Sequence, residues 1–156
     1  RELSRRFHEC KGARPKVAPV SERDGTRVVA AVLHDAEGRV LITQRPPGKW
    51  MAGCWEFPGG KLEPSETGPQ ALTRELAEEL GVRVLACEPL LELSHDYPER
   101  RVQLAVWKVL AYAGEPTGLE GQRLRWLAPA ALYAEPMLPA DWPIVDTLVK
   151  LQSQRG

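Results

Sequence analysis

An α/β fold built on a mixed sheet is predicted by two features of the chain. Short apolar runs of strand character recur along it, and two other stretches carry helical periodicity. Val28-Val29-Ala30-Ala31-Val32-Leu33 is an apolar run of strand length. Asp35-Ala36-Glu37-Gly38 reads as a turn, and Arg39 to Gln44 as a second strand that Pro46-Pro47-Gly48 breaks. Trp55-Glu56-Phe57 is a brief extended segment ending at Pro58-Gly59-Gly60. Thr67 is placed to cap a helix from about Pro69 to Leu80, which Gly81 terminates. Ala71, Leu72, Leu76 and Leu80 share one face of that helix and are expected in the core. Further strands are expected at about 82–94, 101–112 and 123–127. A short helix over Pro129–Tyr133 and a final one over Asp141–Gln152 complete the reading, and the interleaving implies a mixed α/β sandwich.

The bulk properties exclude several classes. The 156 residues suit one domain, and 43% hydrophobic with 27% charged residues is ordinary globular composition. Lys plus Arg and Asp plus Glu both number 21, so no global basic field draws in a nucleic-acid polymer. Residues 1–25 carry Arg1, Arg5, Arg6, Lys11, Arg14, Lys16 and Arg23, and read as a flexible basic extension before a domain at 26–156. Cys10, Cys54 and Cys87 have no metal-ligand spacing and read as free thiols. No apolar run approaches the ~18–20 residues that span a bilayer, and no signal-peptide core is present. A cytoplasmic location is expected.

The chemistry concentrates between Gly59 and Val82. Glu75, Glu78 and Glu79 stand at i, i+3 and i+4, so with ~3.6 residues per turn they project from one helix face. Three like charges near a helix C-terminus repel each other and oppose the macrodipole. A solvated acidic face or a site for a hard divalent cation both accommodate them, and spacing does not choose between the two.

The surrounding frame does choose. Gly60, Glu66, Arg74-Glu75-Leu76, Glu78-Glu79 and Gly81-Val82 fill all nine fixed positions of a pattern spread over 23 residues. This pattern resembles the Nudix box. The resemblance implies an α/β/α sandwich with a mixed sheet and a catalytic strand–loop–helix–loop. It also implies Mg²⁺, with Mn²⁺ as a substitute, held by the Gly59 carbonyl, Glu75, Glu78, Glu79 and Glu120. In that frame Gly59 and Gly60 permit close backbone approach. Glu66 serves as a structural cap or ion-pair partner, and Arg74 orients neighbouring carboxylates through its planar fork.

The similarity extends over about residues 27–152. Trp55-Glu56-Phe57-Pro58-Gly59-Gly60-Lys61 looks like the box approach of the MutT branch, whose members remove oxidised or modified nucleotides from the pool. Gly114-Glu115-Pro116 and Glu120-Gly121-Gln122 resemble the loop that supplies that branch with a further glutamate. Leu138-Pro139-Ala140-Asp141-Trp142-Pro143-Ile144 resembles the segment whose polar residue reads the base. That residue is Asn in the best-known MutT proteins and Asp141 here. An amide both donates and accepts, whereas a carboxylate only accepts unless burial protonates it.

The implied reaction is water attack on the middle phosphorus of a nucleoside triphosphate, releasing a monophosphate and pyrophosphate. Glu75 is the expected base and Glu79 the second candidate. Arg45 and Arg100 match phosphate-side arginines, and Phe57 and Tyr97 are candidates for stacking on the base. The favoured substrate is 8-oxo-dGTP, with CTP, 5-methyl-dCTP or another nucleoside diphosphate-linked compound as the alternative. A non-catalytic nucleotide-binding module is disfavoured because every box carboxylate is present. No nucleic-acid polymer or membrane partner is expected, and the chain reads as a monomer or dimer.

Overall fold

A computed structural model describes residues 25–155, which form two compact units. One comprises residues 25–33 and Phe57–Gly121, and the other His34–Glu56 and 122–155. The expected basic extension before Gly25 lies outside the described residues.

The first unit is a four-stranded mixed sheet carrying one helix. Its strands are β1 (Thr26–Val32), β4 (Gly59–Lys61), β5 (Arg83–Tyr97) and β6 (Arg100–Ala113), in the order β4-β1-β6-β5. β1 runs parallel to β6, while β4 and β5 pair antiparallel to their neighbours. β5 and β6 form one long hairpin closed by Pro98 and Glu99. Both strands therefore run a few residues beyond the expected ranges.

β4 was not foreseen, because Gly59-Gly60 reads from sequence as a turn. It pairs in register with β1, Gly59 opposite Ala30 and Gly60 opposite Val29. A Cβ on Gly59 would strike the Val29 carbonyl oxygen. Only glycine allows that approach.

The helix α1 (Gly68–Leu80) follows its sequence signals. The Thr67 hydroxyl accepts from the Gln70 backbone N–H at 3.2 Å, and the Gln70 side chain accepts from the Thr67 N–H at 2.9 Å. This reciprocal pair satisfies two otherwise free donors of the first turn. Ala71, Leu72, Leu76 and Leu80 are fully buried, as their spacing requires. Gly81 ends the helix at φ +70°, its N–H donating back to the Ala77 carbonyl at 3.1 Å.

Strand alternation sorts this sheet into two faces. Val28, Leu93 and Leu104 are registered together on one face, and by the same alternation so are Tyr97 and Arg100. Ala31 and Trp107 share the other face, where the Trp107 ring meets Gly68 at the start of α1. α1 thus covers the Trp107 face, and Tyr97 with Arg100 lie on the face turned away from it.

The second unit holds a three-stranded antiparallel sheet of β2 (Val40–Gln44), β3 (Trp55–Glu56) and β7 (Leu124–Leu127), in the order β3-β2-β7. The turn before β2 is closed by Asp35, whose Oδ1 accepts the backbone N–H groups of Glu37 and Arg39. Two 3₁₀ helices, Pro129–Ala134 and Pro139–Asp141, lead into α2 (Trp142–Arg155). The last helix was expected to begin at about Asp141. Asp141 instead ends the second 3₁₀ turn, one residue before α2. Leu41, Ile42, Leu132, Met137, Ile144 and Val145 have no exposed surface and form this unit's core.

Cys87 is a free thiol. Cys54 is buried and disulfide-bonded, which corrects the free-thiol reading at that position. Cys10 lies outside the described residues. No helix among the described residues is long and apolar enough to cross a membrane.

Candidate functional site

Arg74 is the hub of the glutamate cluster. Its Nε donates to Glu66 Oε2 at 2.7 Å and its Nη2 to Glu66 Oε1 at 2.9 Å, a two-pronged fork. Nη1 donates to Glu75 Oε2 at 2.9 Å and lies 3.6 Å from Glu78 Oε1. Nη2 also donates to the Lys61 carbonyl at 3.0 Å, which ties α1 to the end of β4. One guanidinium therefore fixes a helix, a strand end and the loop between them. Glu66 is gripped from a second side, since Oε1 accepts the Glu63 backbone N–H at 2.9 Å. The hydrogen bond from Arg74, then that from Glu63, lowers the Glu66 carboxyl from an ordinary 4.5 to about 2. The same Glu66 contact raises the Arg74 pKa further.

Glu75 is packed against backbone. A Cβ on Gly60 would collide with the Glu75 carboxyl carbon and both its oxygens. The second glycine therefore leaves the room that the carboxylate above it occupies. Glu78 differs, its side chain being 58% exposed against 15% for Glu75. Glu66 and Glu75 are thus clamped, while the more exposed Glu78 meets Arg74 only at the longer 3.6 Å.

Glu120 comes to the same helix end through backbone bonds. The Leu119 N–H donates to the Glu79 carbonyl and the Thr117 N–H to the Leu80 carbonyl, both at 3.0 Å. These are two of the carbonyls that a helix leaves free at its C-terminus. The 114–121 loop thus caps α1 and fixes Glu120 next in sequence to a residue bonded to Glu79. Sequence proximity gives no hint of this; only the Gly114 and Gly121 positions, at φ +100° and +81°, mark a shaped loop.

Divalent metal is implied by the glutamate set, and the residues fit it in donor chemistry. The candidate donors are carboxylates and a backbone carbonyl at a glycine, the oxygen types that Mg²⁺ prefers, and Gly60 leaves the cradle under Glu75 that a Cβ would fill. Among the described residues no three His, Cys, Asp or Glu side chains converge on one point.

The remaining predicted residues are distributed as follows. Phe57 and Tyr97 are buried, at 3% and 6% exposure. Tyr97 meets His95 edge to face at 4.5 Å. Arg100 is half-buried at the start of β6, opposite Tyr97. In the other unit Arg45 is already engaged, its Nη1 contacting both Glu56 oxygens at 3.1 Å and its Nε donating to the Trp50 carbonyl at 2.6 Å. Burial raises the Glu56 carboxyl, opposed by Arg45 and Lys49. Glu56 was not singled out in the sequence, where it reads only as part of a strand; its charge opposite Arg45 became visible through the β2–β3 pairing. Asp141 is buried at 5% exposure. A depression of about 560 Å³ beside Arg27, Gly68, Gln103 and Trp107 includes none of the predicted site residues.

A strand edge braced by glycines and a capped helix whose carboxylates hang on one arginine define a Nudix-type phosphoanhydride site. Residues 29–147 match the NUDIX domain family, and the chain belongs to it as a Nudix hydrolase of MutT-like sequence. It is 38% identical over 128 residues to the CTP pyrophosphohydrolase of Escherichia coli (strain K12), covering 82% of this chain and 94% of that one. It is 34% identical over 125 residues to the 8-oxo-dGTP diphosphatase of the same organism, covering 80% and 97%. The 8-oxo-dGTP diphosphatase of Proteus vulgaris is 45% identical over 94 residues, covering 60% of this chain and 84% of that one. Among solved structures, that of the E. coli ORF135 protein superposes with a TM-score of 0.76 at 36% identity, covering 88% of this chain and 98% of the other. A MutT structure described for Aliivibrio salmonicida and Vibrio cholerae gives 0.71 at 32% identity, covering 81% and 98%.

Proposed function

We propose that this chain is a Mg²⁺-dependent nucleoside triphosphate pyrophosphohydrolase that converts 8-oxo-dGTP to 8-oxo-dGMP and pyrophosphate, clearing the nucleotide pool of an oxidised base. The observation that carries the reaction class is the Arg74-held Glu75 lying against Gly60 within a complete box of glutamates. The relatives named 8-oxo-dGTP diphosphatase support the substrate.

In this reading the Gly59 carbonyl, Glu75, Glu78, Glu79 and Glu120 hold the metal. Bound Mg²⁺ would neutralise polyphosphate charge and make water more acidic. Arg74 engages Glu75 through Oε2, leaving Oε1 to accept the proton of the attacking water. Arg74 and Glu66 keep that carboxylate from turning. The family resemblance makes Arg100 the phosphate-side cation and Tyr97 with Phe57 the apolar wall for the base; since Tyr97 and Arg100 lie on the sheet face away from α1, these roles rest on the resemblance and not on proximity to the glutamates. Asp141 reads the base edge. Arg45 reaches substrate only if it leaves Glu56, so its contribution is the weakest of the set. The cytoplasm is the location in which such a substrate pool is met.

One observation favours a second reading. Asp141 stands where an amide is expected, and an ionised carboxylate accepts but does not donate. It suits the amino edge of cytosine, and the E. coli relative named CTP pyrophosphohydrolase covers 82% of this chain. A pyrophosphate-release assay with Mg²⁺ decides between them, comparing 8-oxo-dGTP, dGTP, CTP, 5-methyl-dCTP and 2-oxo-dATP at low micromolar concentration. A large kcat/KM advantage for 8-oxo-dGTP establishes the first reading. Preference for a cytidine nucleotide keeps the reaction and replaces the substrate. No turnover of any triphosphate overturns both.

A further inference from the structure

Asp141 sits directly before the first turn of α2. It closes the 3₁₀ turn Pro139–Asp141, with its N–H donating to the Leu138 carbonyl at 2.9 Å, and α2 starts at the next residue. Any rotation of the first turn of α2 is therefore passed directly to the Asp141 carboxylate.

Tyr133, a residue of another element, holds that turn from outside. Tyr133, in the 3₁₀ helix Pro129–Ala134, lies over the Trp142 ring with planes 4° apart and centroids 6.0 Å apart. Its hydroxyl donates to Asp146 Oδ1 at 2.5 Å. Trp142 and Asp146 stand at i and i+4, so Tyr133 touches two successive turns of the same helix face. The hydrogen bond to Asp146 raises the Tyr133 pKa, which keeps the phenol a donor throughout the neutral range. Trp142 is 5% exposed beneath a Tyr133 that is itself 42% exposed. A leucine would cover Trp142 from water equally well. A parallel ring bonded at its far end also fixes how α2 is rotated, which simple coverage does not.

We infer that Tyr133 is a positioning residue for base discrimination, acting through Trp142 and Asp146 to set the orientation of Asp141. The inference rests on the proposed base-reading role of Asp141. A structural role alone would change melting temperature and leave substrate preference untouched. A positioning role shifts preference, and does so only while Asp141 is there to be positioned.

The test is a double-mutant cycle on the full chain, with kcat and KM measured for the preferred triphosphate and for its nearest competitor. Tyr133→Leu is expected to raise KM for the preferred substrate up to about tenfold, the order that one weakened hydrogen bond costs, with kcat changed less than about twofold. Tyr133→Phe, which keeps the stack and loses the hydroxyl, should show a smaller shift in the same direction. In an Asp141→Ala background, where no polar group remains to be positioned, the Tyr133→Leu shift should vanish. An unchanged preference in Tyr133→Leu, with Asp141→Asn still altering it, overturns the inference and leaves Asp141 as the base reader. So does a Tyr133→Leu shift that persists in full in the Asp141→Ala background. An unaltered preference in Asp141→Asn alone overturns the base-reading role itself. If Tyr133→Leu fails to fold, Tyr133→Phe carries the same comparisons.

Discussion

Arg74 and Arg45 are two half-buried arginines, each paired with a glutamate, and they differ in what the pairing accomplishes. Their exposures are nearly equal at 24% and 23%, so solvent screening does not separate them. Geometry does. Arg74 presents two nitrogens to the two oxygens of Glu66 and still has Nη1 for Glu75. Arg45 sets a single nitrogen between both oxygens of Glu56 and spends Nε on a carbonyl five residues away. The Arg45 bonds stay within the β2–β3 connection, which is also closed by the Arg45 N–H to the Cys54 carbonyl. Arg74 reaches outward to the carboxylate that the proposed chemistry uses. Similar burial and the same residue pair thus give a local clasp in one unit and a frame for a reactive group in the other.

The sharpest way to break that contrast is to remove the framed group. Glu75→Gln should lower kcat by about 10²–10⁴-fold, the usual contribution of a general base, while the melting temperature stays near that of the parent. Near-normal turnover would remove Glu75 from the base role and pass it to Glu79. Glu78→Gln should abolish Mg²⁺-dependent turnover with circular dichroism unchanged; retained turnover would sink its assignment as a metal ligand. Arg74→Lys comes next. An ammonium cannot form the fork, so Glu75 loses its fixed orientation, and kcat should fall about 10–100-fold, as when a group orienting a metal ligand is lost. If Arg74→Lys changes only stability, the frame is no different in kind from the Arg45 clasp.

Much of the first unit was legible because its signals are local. The capping residues of α1, its buried stripe and its Gly81 stop are each decided within a few residues of chain. The box residues follow a fixed spacing along the same helix. What escaped was non-local. β4 is invisible as a strand because its glycines have no side chains to show a period, and its pairing is set by β1 some thirty residues earlier. The reason for Gly60 lies in Glu75, fifteen residues away, and the support for Glu120 comes from free carbonyls at a helix end. Arg45 shows another side of this. The resemblance matches it to a phosphate-side arginine, and the β2–β3 register, with Thr43 opposite Glu56, adds an acid within its reach that the sequence does not show.

Arg45 therefore offers a test of smaller size. Removing it leaves Glu56 half-buried without its main cation, which should cost about 1–2 kcal/mol, as for other groups left unpaired. Burial already raises the Glu56 carboxyl, and losing Arg45 raises it further. The sign follows from linkage: a carboxyl whose folded pKa exceeds its unfolded value resists ionisation, so Arg45→Ala should lose stability as pH rises through that folded value. Glu56→Gln in the same chain should restore it. A several-fold rise in KM that Glu56→Gln does not restore would instead place Arg45 on the substrate phosphates.

The smallest expected effect belongs to Glu66, whose carboxyl is drawn from 4.5 to about 2. Here the folded pKa lies below the unfolded one, so the stabilisation is complete above about pH 4.5 and declines as pH falls toward 2. Melting temperature followed through that window should fall less steeply in Glu66→Gln than in the parent, with the two curves separating most near neutrality. The pair is solvent-accessible, so raising salt should narrow the difference. Because Arg74 also holds Glu75 and the Lys61 carbonyl, Glu66→Gln should lower kcat less than Arg74→Lys does. An equal loss in both would mean that Glu66 alone fixes the guanidinium, and that the hold on Glu75 depends on the fork behind it.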